Sequence, residues 1–234
     1  MTIAGLVKSS LIDYPGKVSA VIFTQGCNFR CGFCHNPSLI PITNDQNTSL
    51  QFSESEVLEF LGSRVGKLDG VVITGGEPTI QPDLVEFIKK IKKLGFLVKL
   101  DTNGSSPAVI QSLVTGHLVD YIAMDVKNSP EKYEETCGYP FSGNIQESIK
   151  LIMDSGIDYE FRTTVLSAFH DKGSVEELAK SIKGAKKYVI QNFRNGNVYN
   201  LDLKEAKSFT RAKLRALQTI AEEYIDDVQI RENI

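Results

Sequence analysis

The chain has 234 residues, of which 41% are hydrophobic and 24% charged, and its formal net charge is -3. This composition is typical of a globular protein with enough length for a buried core, and its charge gives no reason to expect nucleic acid as a partner. No apolar run approaches the ~18 residues of a membrane span, and the N-terminus lacks the apolar core of a signal peptide. We therefore expect no membrane partner and a cytoplasmic, reducing location.

Short apolar runs rich in Val and Ile alternate with helix candidates along the chain. Within the helix candidates, Ser53 and Glu56 form a capping-box pattern, and Gly95 ends a run with apolar residues at helical spacing. The predicted strands are 18–24, 70–74, 96–101, 119–125, 157–165 and 187–191, and the predicted helices are 53–64, 81–95, 142–156, 174–184 and 209–224. This alternation predicts a parallel sheet with right-handed crossovers.

Two α/β architectures fit six strand–helix units: a doubly wound sheet, or a barrel with fewer than eight units. A full eight-unit barrel needs about 250 residues, so we favour a partial (βα)6 TIM-like barrel, open on one side, with a cysteine-bearing loop after its first strand. We expect one domain over 1–234. It would have a core barrel at about 17–192, an N-terminal edge segment at 1–16, and a C-terminal helix and tail at 205–234. The segments before Val18 and after Asp226 are candidates for edge strands, and the polar residues 41–49 are predicted to form an exposed loop.

Polar or metal-binding groups follow all six predicted strands. In both architectures, ligands bind beyond the carboxyl ends of the strands. The groups are "CNFRCGFC" after the first strand, then "TGGEP", "DTNG", "MDVKN", "FRTT" and "QNFRNGN" after the others. Six such coincidences predict an active site on one face of the sheet.

Three of the four cysteines, Cys27, Cys31 and Cys34, lie within eight residues of one another, at a C-x3-C-x2-C spacing. Thiolates suit zinc and iron–sulfur clusters. Three ligands would leave one iron of a [4Fe–4S] cluster without a protein ligand, and catalysis needs such an open position. The alternatives are a zinc site with His35 as fourth ligand, a redox disulfide, or chance. Cys137 is interpreted as a free thiol, with a fourth cluster ligand as the other possibility.

With these motifs in place, the chain resembles the radical S-adenosylmethionine (SAM) enzymes. "CNFRCGFC" is similar to their cysteine signature, with aromatic Phe33 just before the last cysteine, and "GGEP" is similar to their second motif. Together with "YPGKVSAVIFTQG", "CHNP", "DTNG" and "MDVKN", these stretches resemble the activating proteins of glycyl-radical enzymes, in the variety that serves anaerobic ribonucleoside-triphosphate reductase. The resemblance covers roughly residues 5–165.

The resemblance implies a reaction and its partners. A [4Fe–4S] cluster held by three cysteines would bind SAM through its open iron and cleave it reductively. The resulting 5'-deoxyadenosyl radical would take the alpha hydrogen of a glycine in a large partner enzyme that binds transiently. A reducing partner such as flavodoxin or ferredoxin would supply the electron. The difficult chemistry belongs to the cofactor, while the protein binds and orients it.

The motif after the second strand and one lysine are predicted to bind the methionine part of SAM. Gly75 and Gly76 would let the backbone approach the ligand closely, and Glu77 would reinforce the contact with the amino group. Lys127 would pair with the carboxylate. The structural alternatives are a tight strand-to-helix turn for the glycines and a solvated surface position for the lysine.

Other strand ends supply further candidate SAM contacts. Asp101 and Asp125 end neighbouring strands, and two close carboxylates repel unless a proton or cation lies between them; related activases suggest a monovalent cation there, or a polar contact to SAM. Asn103 is a ligand-loop or turn residue, and Arg162 contacts SAM or forms an ion pair inside the barrel. Gln191, or its neighbour Asn192, stands where related activases carry a histidine.

Two histidines and the segment before the first strand complete the set. His117 and His170 are interpreted as surface residues. Asp13, Tyr14 and Pro15 lie in the segment that the family places beside the site, and are candidate contacts for a glycine loop of the partner.

Three rival functions remain on the sequence alone. One rival is a pyruvate formate-lyase-type activase, although the resemblance favours the variety that serves ribonucleotide reductase. A 7-carboxy-7-deazaguanine synthase-like radical SAM enzyme also has a short barrel, but "CHNP" and "MDVKN" favour the activase. A non-enzymatic iron–sulfur electron carrier or zinc module would not account for "GGEP" or for the polar strand ends.

Overall fold

A computed structural model describes residues 1–41 and 52–232 of the chain. The strands are β1 (Ile3–Ser10), β2 (Ser19–Thr24), β3 (Gly70–Gly75), β4 (Leu97–Thr102), β5 (Tyr121–Asp125), β6 (Asp158–Val165), β7 (Tyr188–Asn192) and β8 (Val228–Arg231). The helices are α1 (Glu54–Gly62), α2 (Leu84–Lys93), α3 (Pro107–Thr115), α4 (Tyr133–Cys137), α5 (Gly143–Asp154), α6 (Lys172–Ser181) and α7 (Arg211–Ala221).

The eight strands form one sheet in the order of the sequence, β1 to β8. β2 through β8 are parallel, and β1 pairs antiparallel with β2. Since β1 and β8 do not pair with each other, the sheet is not closed into a barrel. The predicted α/β fold, open on one side, is confirmed, and β1 and β8 are the edge strands expected before Val18 and after Asp226.

Helices α1 and α2 show the capping and the apolar face that their sequences predict. The predicted capping box is present, because the Ser53 side chain accepts from the Glu56 backbone N–H while the Glu56 side chain accepts from Ser53. Helix α2 buries the apolar face that its sequence predicts, formed by Leu84, Phe87, Ile88 and Ile91. These helices pack on one face of the sheet, and the strand ends are left free for a site. In the described parts of the chain, no helix is long and apolar enough to cross a bilayer.

Two of the observed helices were not predicted, and one predicted loop lies almost wholly outside the described residues. α3 and α4 were not predicted; α3 has Pro107 in its first turn, a recognisable start signal, but no side-chain cap. α4 is only five residues long, too short for helical periodicity to show. The predicted exposed loop lies outside the described residues from position 42 onward.

Candidate active site

A cavity of about 320 Å³ lies at the carboxyl ends of the parallel strands. The sheet curves around it, since β3, β4, β5, β6 and β7 all contribute lining residues. The structure brings together all twelve site residues predicted from the sequence, namely Cys27, Cys31, Cys34, Gly75, Gly76, Glu77, Asp101, Asn103, Asp125, Lys127, Arg162 and Gln191.

The three clustered cysteines lie on a loop that follows β2, called here the cysteine loop (residues 27–34). Its start is fixed to a later segment, because the Cys27 backbone N–H donates to the Ile40 carbonyl over 3.0 Å. Within the loop, the Cys34 N–H donates to the Cys31 carbonyl over 3.0 Å. Burial raises the pKa of the Cys27 thiol to about 11 and also raises the pKa of Cys34. The loop therefore holds three thiols that stay protonated at neutral pH until a metal displaces the protons.

Three thiols on one short loop are a donor set that suits an iron–sulfur cluster. Among the residues that the structure describes, no three His, Cys, Asp or Glu side chains converge as ligands of one metal ion do. A cluster is wider than an ion, so thiolates separated by a short loop can each reach a different iron. All four cysteines are free thiols.

Cys137 is far from the cysteine loop in sequence but adjacent to it in the fold. It is buried at the end of α4, where its thiol donates to the Tyr133 carbonyl over 3.1 Å. Its own carbonyl accepts from the Arg30 N–H over 2.7 Å. A hydrogen bond with Cys137, followed by burial, raises the pKa of Cys31. Because about 100 residues separate Cys31 from Cys137, the sequence alone did not predict this contact.

The two glycines of "GGEP" are required by the protein backbone itself. A Cβ on Gly76 would lie 2.0 Å from the Gly26 carbonyl oxygen, and one on Gly75 would lie 2.2 Å from the Thr24 nitrogen. Gly75 also has φ of +122°, which other residues resist. Both glycines therefore allow close packing against Thr24 at the end of β2 and against Gly26, just before the cysteine loop. Their close approach to a ligand stays a prediction.

Glu77 and Asn103 tie three loops together. The Glu77 carboxylate, 1% exposed, accepts from the Thr102 hydroxyl over 2.7 Å and from the Asn103 backbone N–H over 2.7 Å. It also accepts from the hydroxyl and N–H of Thr79. The Asn103 side chain donates to Asn28 of the cysteine loop over 3.0 Å. Burial raises the pKa of Glu77 despite these donors. Glu77 thus links its own loop to the end of β4 by hydrogen bonds. Its predicted contact with the amino group of a ligand stays a prediction.

Alternating charges cross the floor of the cavity. The Arg162 guanidinium is 2.8 Å from Asp125 Oδ1 and 3.2 Å from Asp101 Oδ2, and Lys127 Nζ is 3.0 Å from Asp125 Oδ2. Lys99 Nζ also pairs with Asp101. Burial raises the pKa of Asp125, but the charges of Arg162 and Lys127 outweigh it and lower that pKa to about 2. The ion pair considered for Arg162 inside the barrel is therefore present.

The remaining candidates divide between the cavity and the core. Gln191 lines the cavity, whereas the Asn192 amide is engaged with the backbone of Phe209. His117 is exposed, as expected. The surface interpretation of His170 is wrong: the side chain is 3% exposed, because the turn after β6 folds it beneath Lys127.

An apolar wall of the cavity was missed by sequence reasoning. Phe29 and Phe33 of the cysteine loop line it together with Phe23 of β2 and Ile40. Phe29 stacks on Tyr139 with ring centroids 4.5 Å apart, which fixes one side of the loop. Aromatic residues inside a polar, cysteine-rich loop were the available signal, since such side chains find partners when they are buried.

Three comparisons bear on the family. Residues 21–185 match the model of the radical SAM superfamily. A protein of Methanocaldococcus jannaschii, provisionally named a glycyl-radical enzyme activating enzyme, is 37% identical over 98% of this chain and 95% of its own length. The pyruvate formate-lyase-activating enzyme of Clostridium pasteurianum is 24% identical over 92% of this chain and 94% of its own length.

A solved structure shares the fold. SuiB of Streptococcus suis, bound to S-adenosylmethionine, superimposes with a TM-score of 0.70 at 17% identity, over 92% of this chain and 50% of SuiB. The chain thus spans half the length of that protein. The family match covers most of the sheet and the cysteine loop, and implies an iron–sulfur cluster and SAM as cofactors. The chain belongs to the radical SAM superfamily of enzymes.

Proposed function

We propose that this chain is an activase that cleaves SAM reductively and abstracts the alpha hydrogen of a glycine in a partner enzyme. The observation that carries the proposal is the cavity, where the three clustered thiols and all nine predicted SAM contacts meet. The relative from Methanocaldococcus jannaschii, similar over nearly its whole length, supports the activase class.

Cys27, Cys31 and Cys34 would hold three irons of the cluster and leave the fourth open for SAM. When bound, such a cluster would supply the one electron that reductive cleavage of SAM needs. The protein's part is to orient and to exclude water. The wall of Phe23, Phe29 and Phe33 provides that exclusion.

The positive groups in the cavity would bind the SAM carboxylate. Lys127 and Arg162 both line the cavity, and each forms an ion pair with the Asp125 carboxylate at ordinary distance. A ligand carboxylate would share these cations with Asp125. Asp101, Gln191 and the backbone of 75–77 and 103 would contact the rest of SAM.

For Asp101 and Asp125, the two alternatives are a monovalent cation between them and a polar contact with SAM. Arg162 bridges these two carboxylates, so they do not need a metal ion to offset their repulsion. A cation effect would be measured as a change in SAM affinity when potassium is replaced by tetramethylammonium. Unchanged affinity would remove the cation from the site.

The route for the partner is the open side of the sheet. A second cavity of about 300 Å³ shares Asp13, Asp101, Arg162 and Gln191 with the first. Its other lining residues include Ile12 after β1 and Arg231 on β8, the two strands that border the gap. Asp13 thus borders both cavities, whereas Tyr14 is buried against Tyr121 and is not available to a partner.

We propose anaerobic ribonucleoside-triphosphate reductase as the partner, and a flavodoxin or ferredoxin as the electron donor. The sequence resemblance supports the reductase over pyruvate formate-lyase. A chain with one cysteine cluster and an open sheet suits a substrate that is a loop of a large protein, bound transiently.

The reaction is tested anaerobically. The protein is reconstituted with iron and sulfide, reduced with dithionite, and its electron paramagnetic resonance spectrum is recorded with and without SAM while 5'-deoxyadenosine is assayed. We expect a [4Fe–4S] signal that changes with SAM, and nucleoside product. A cluster that is indifferent to SAM and yields no nucleoside would refute the proposal.

The partner is tested by mixing the reduced protein and SAM with each candidate enzyme. We expect a glycyl-radical signal on anaerobic ribonucleotide reductase, and none on its variant in which the radical glycine is replaced by alanine. A radical on pyruvate formate-lyase alone would reassign the partner but keep the activase class.

A further inference from the structure

Residues 166–170 form the turn after β6, and this turn is hydrogen-bonded to the backbone of Lys127. His170 Nε2 lies 2.9 Å from the Lys127 carbonyl oxygen, and the ring is 3% exposed. A carbonyl only accepts hydrogen bonds, so Nε2 carries the proton in this contact. The side chain of Lys127 projects into the cavity from the backbone that this bond holds.

The other ring nitrogen fits the same tautomer. His170 Nδ1 lies 3.3 Å from both the backbone nitrogen and the carbonyl oxygen of Leu166. Since Nε2 carries the proton in the neutral ring, Nδ1 is the acceptor and the Leu166 N–H donates to it. Burial lowers the pKa of His170, which keeps the ring neutral at pH 7 and Nδ1 free to accept. The ring thus spans two backbone groups, one in its own turn and one in the loop after β5.

Further hydrogen bonds hold the backbone on either side of Lys127. Asn128, the residue after Lys127, donates from its side chain to the Phe169 carbonyl over 2.9 Å and to the Thr136 hydroxyl over 2.8 Å. On the other side, the Thr163 hydroxyl donates to the Val126 carbonyl over 2.7 Å. The backbone of 126–128 is therefore tied on both sides of Lys127, and His170 makes the bond at Lys127 itself.

We propose that His170 is a positioning residue that sets the Lys127 ammonium for the SAM carboxylate. The inference rests on the proposed function in that it takes Lys127 as a SAM contact. His170 does not line the cavity, and within the described residues its ring is hydrogen-bonded only to Leu166 and to the Lys127 carbonyl. Its direct link to the cavity is therefore the Lys127 backbone, while its neighbour Phe169 packs against Phe33 of the cysteine loop. Loss of His170 would let the loop after β5 shift and would weaken SAM binding without loss of the cluster.

Two near-isosteric variants separate the two hydrogen bonds of the ring. The His170→Gln amide reaches the place of Nε2 and can donate to the Lys127 carbonyl, whereas the His170→Asn amide reaches only the place of Nδ1. We expect His170→Asn to weaken SAM binding about tenfold, the order of the cost when a buried carbonyl loses its hydrogen-bond donor. His170→Gln should stay within about twofold of the parent protein. Binding is measured by equilibrium dialysis of labelled SAM on the reconstituted, unreduced enzyme, with iron content checked in each sample.

A double variant tests the route through Lys127. If His170 acts through this side chain, His170→Asn should add little to the loss that Lys127→Met causes alone. Equal binding by the Asn and Gln variants, or fully additive losses in the double variant, would overturn the proposal. His117→Gln, at an exposed position, is the matched control and should leave SAM binding unchanged. Absence of SAM binding in the parent protein would count against the proposed function instead.

Discussion

Arg162 and Asp125 are register partners on the neighbouring parallel strands β6 and β5, and the Arg162 Nε lies 2.8 Å from Asp125 Oδ1. Strand register alone therefore places this cation and this carboxylate side by side at the cavity. Lys127, two residues beyond Asp125, binds the other oxygen of the same carboxylate. The pair between Arg162 and Asp125 is thus a product of the strand register.

Asp125→Asn should lower stability in a pH-dependent way. The folded-state pKa of Asp125 is about 2, below its ordinary value of 3.8, so its contribution is full above about pH 4 and is lost as the pH falls toward 2. The shift corresponds to about 2 kcal/mol. Urea unfolding midpoints should differ between parent and variant at pH 7, and this difference should shrink by pH 2.5. Asp154→Asn, at an exposed position, should show no such difference at either pH. A gap at pH 2.5 as large as the gap at pH 7 would contradict the assignment.

Gly76→Ala should damage the cysteine loop rather than only SAM binding. The new Cβ would lie 2.0 Å from the Gly26 carbonyl oxygen, a backbone atom that cannot rotate away. We expect at least a tenfold loss of iron incorporation, since the loop must shift to relieve the clash. Iron and sulfide content after reconstitution measures this.

Gly62→Ala is the control for that substitution. Gly62 ends α1, and a Cβ there meets no atom within 4 Å. This change should leave iron content unchanged and raise stability slightly, by about 0.5 kcal/mol, because alanine loses less backbone entropy in a helix. If Gly76→Ala incorporates iron normally and loses only SAM binding, the contact of Gly76 with Gly26 does not constrain the cysteine loop.

Much of the fold and site could be predicted from the sequence because both rest on local patterns. Buried parallel strands show as runs of Val and Ile, and their carboxyl ends show as the polar residues that follow. This was enough to gather residues as distant in sequence as Cys27 and Gln191 into one cavity. The open side followed from counting six units against the eight of a full barrel.

What could not be predicted depends on contacts between distant segments. His170 looks like a polar loop residue until the turn after β6 folds under Lys127. For Glu77, the hydrogen bonds that its carboxylate accepts from Thr102 and Asn103 of the next strand and its loop do not show in the sequence. In both cases the contact depends on a tertiary partner that no local pattern reveals.

Cys27 should be a slow nucleophile in the cluster-free protein. Burial raises its pKa to about 11, and only the thiolate attacks an alkylating reagent. The rate of iodoacetamide labelling, followed by mass spectrometry of the peptide, should rise about tenfold per pH unit from 7 to 9 and should continue to rise beyond 9. Free glutathione, measured alongside, levels off near pH 9. A plateau for Cys27 at or below that pH would show that its thiol is not held in an apolar setting.

Cys137→Ala should retain the cluster, whereas alanine at Cys27, Cys31 or Cys34 should abolish it. Cys137 is buried and its thiol already donates to the Tyr133 carbonyl, so it fills space beside Cys31 rather than facing the cavity. The variant loses one buried sulfur, which should lower stability by about 1 kcal/mol. Iron and sulfide analysis, with the electron paramagnetic resonance signal of the reduced protein, measures cluster content in all four variants. Cys137→Ser keeps the volume nearly constant and controls for the small cavity. Should both Cys137 variants fail to incorporate iron, Cys137 would be a fourth ligand, and the open iron on which the proposed reaction depends would be lost.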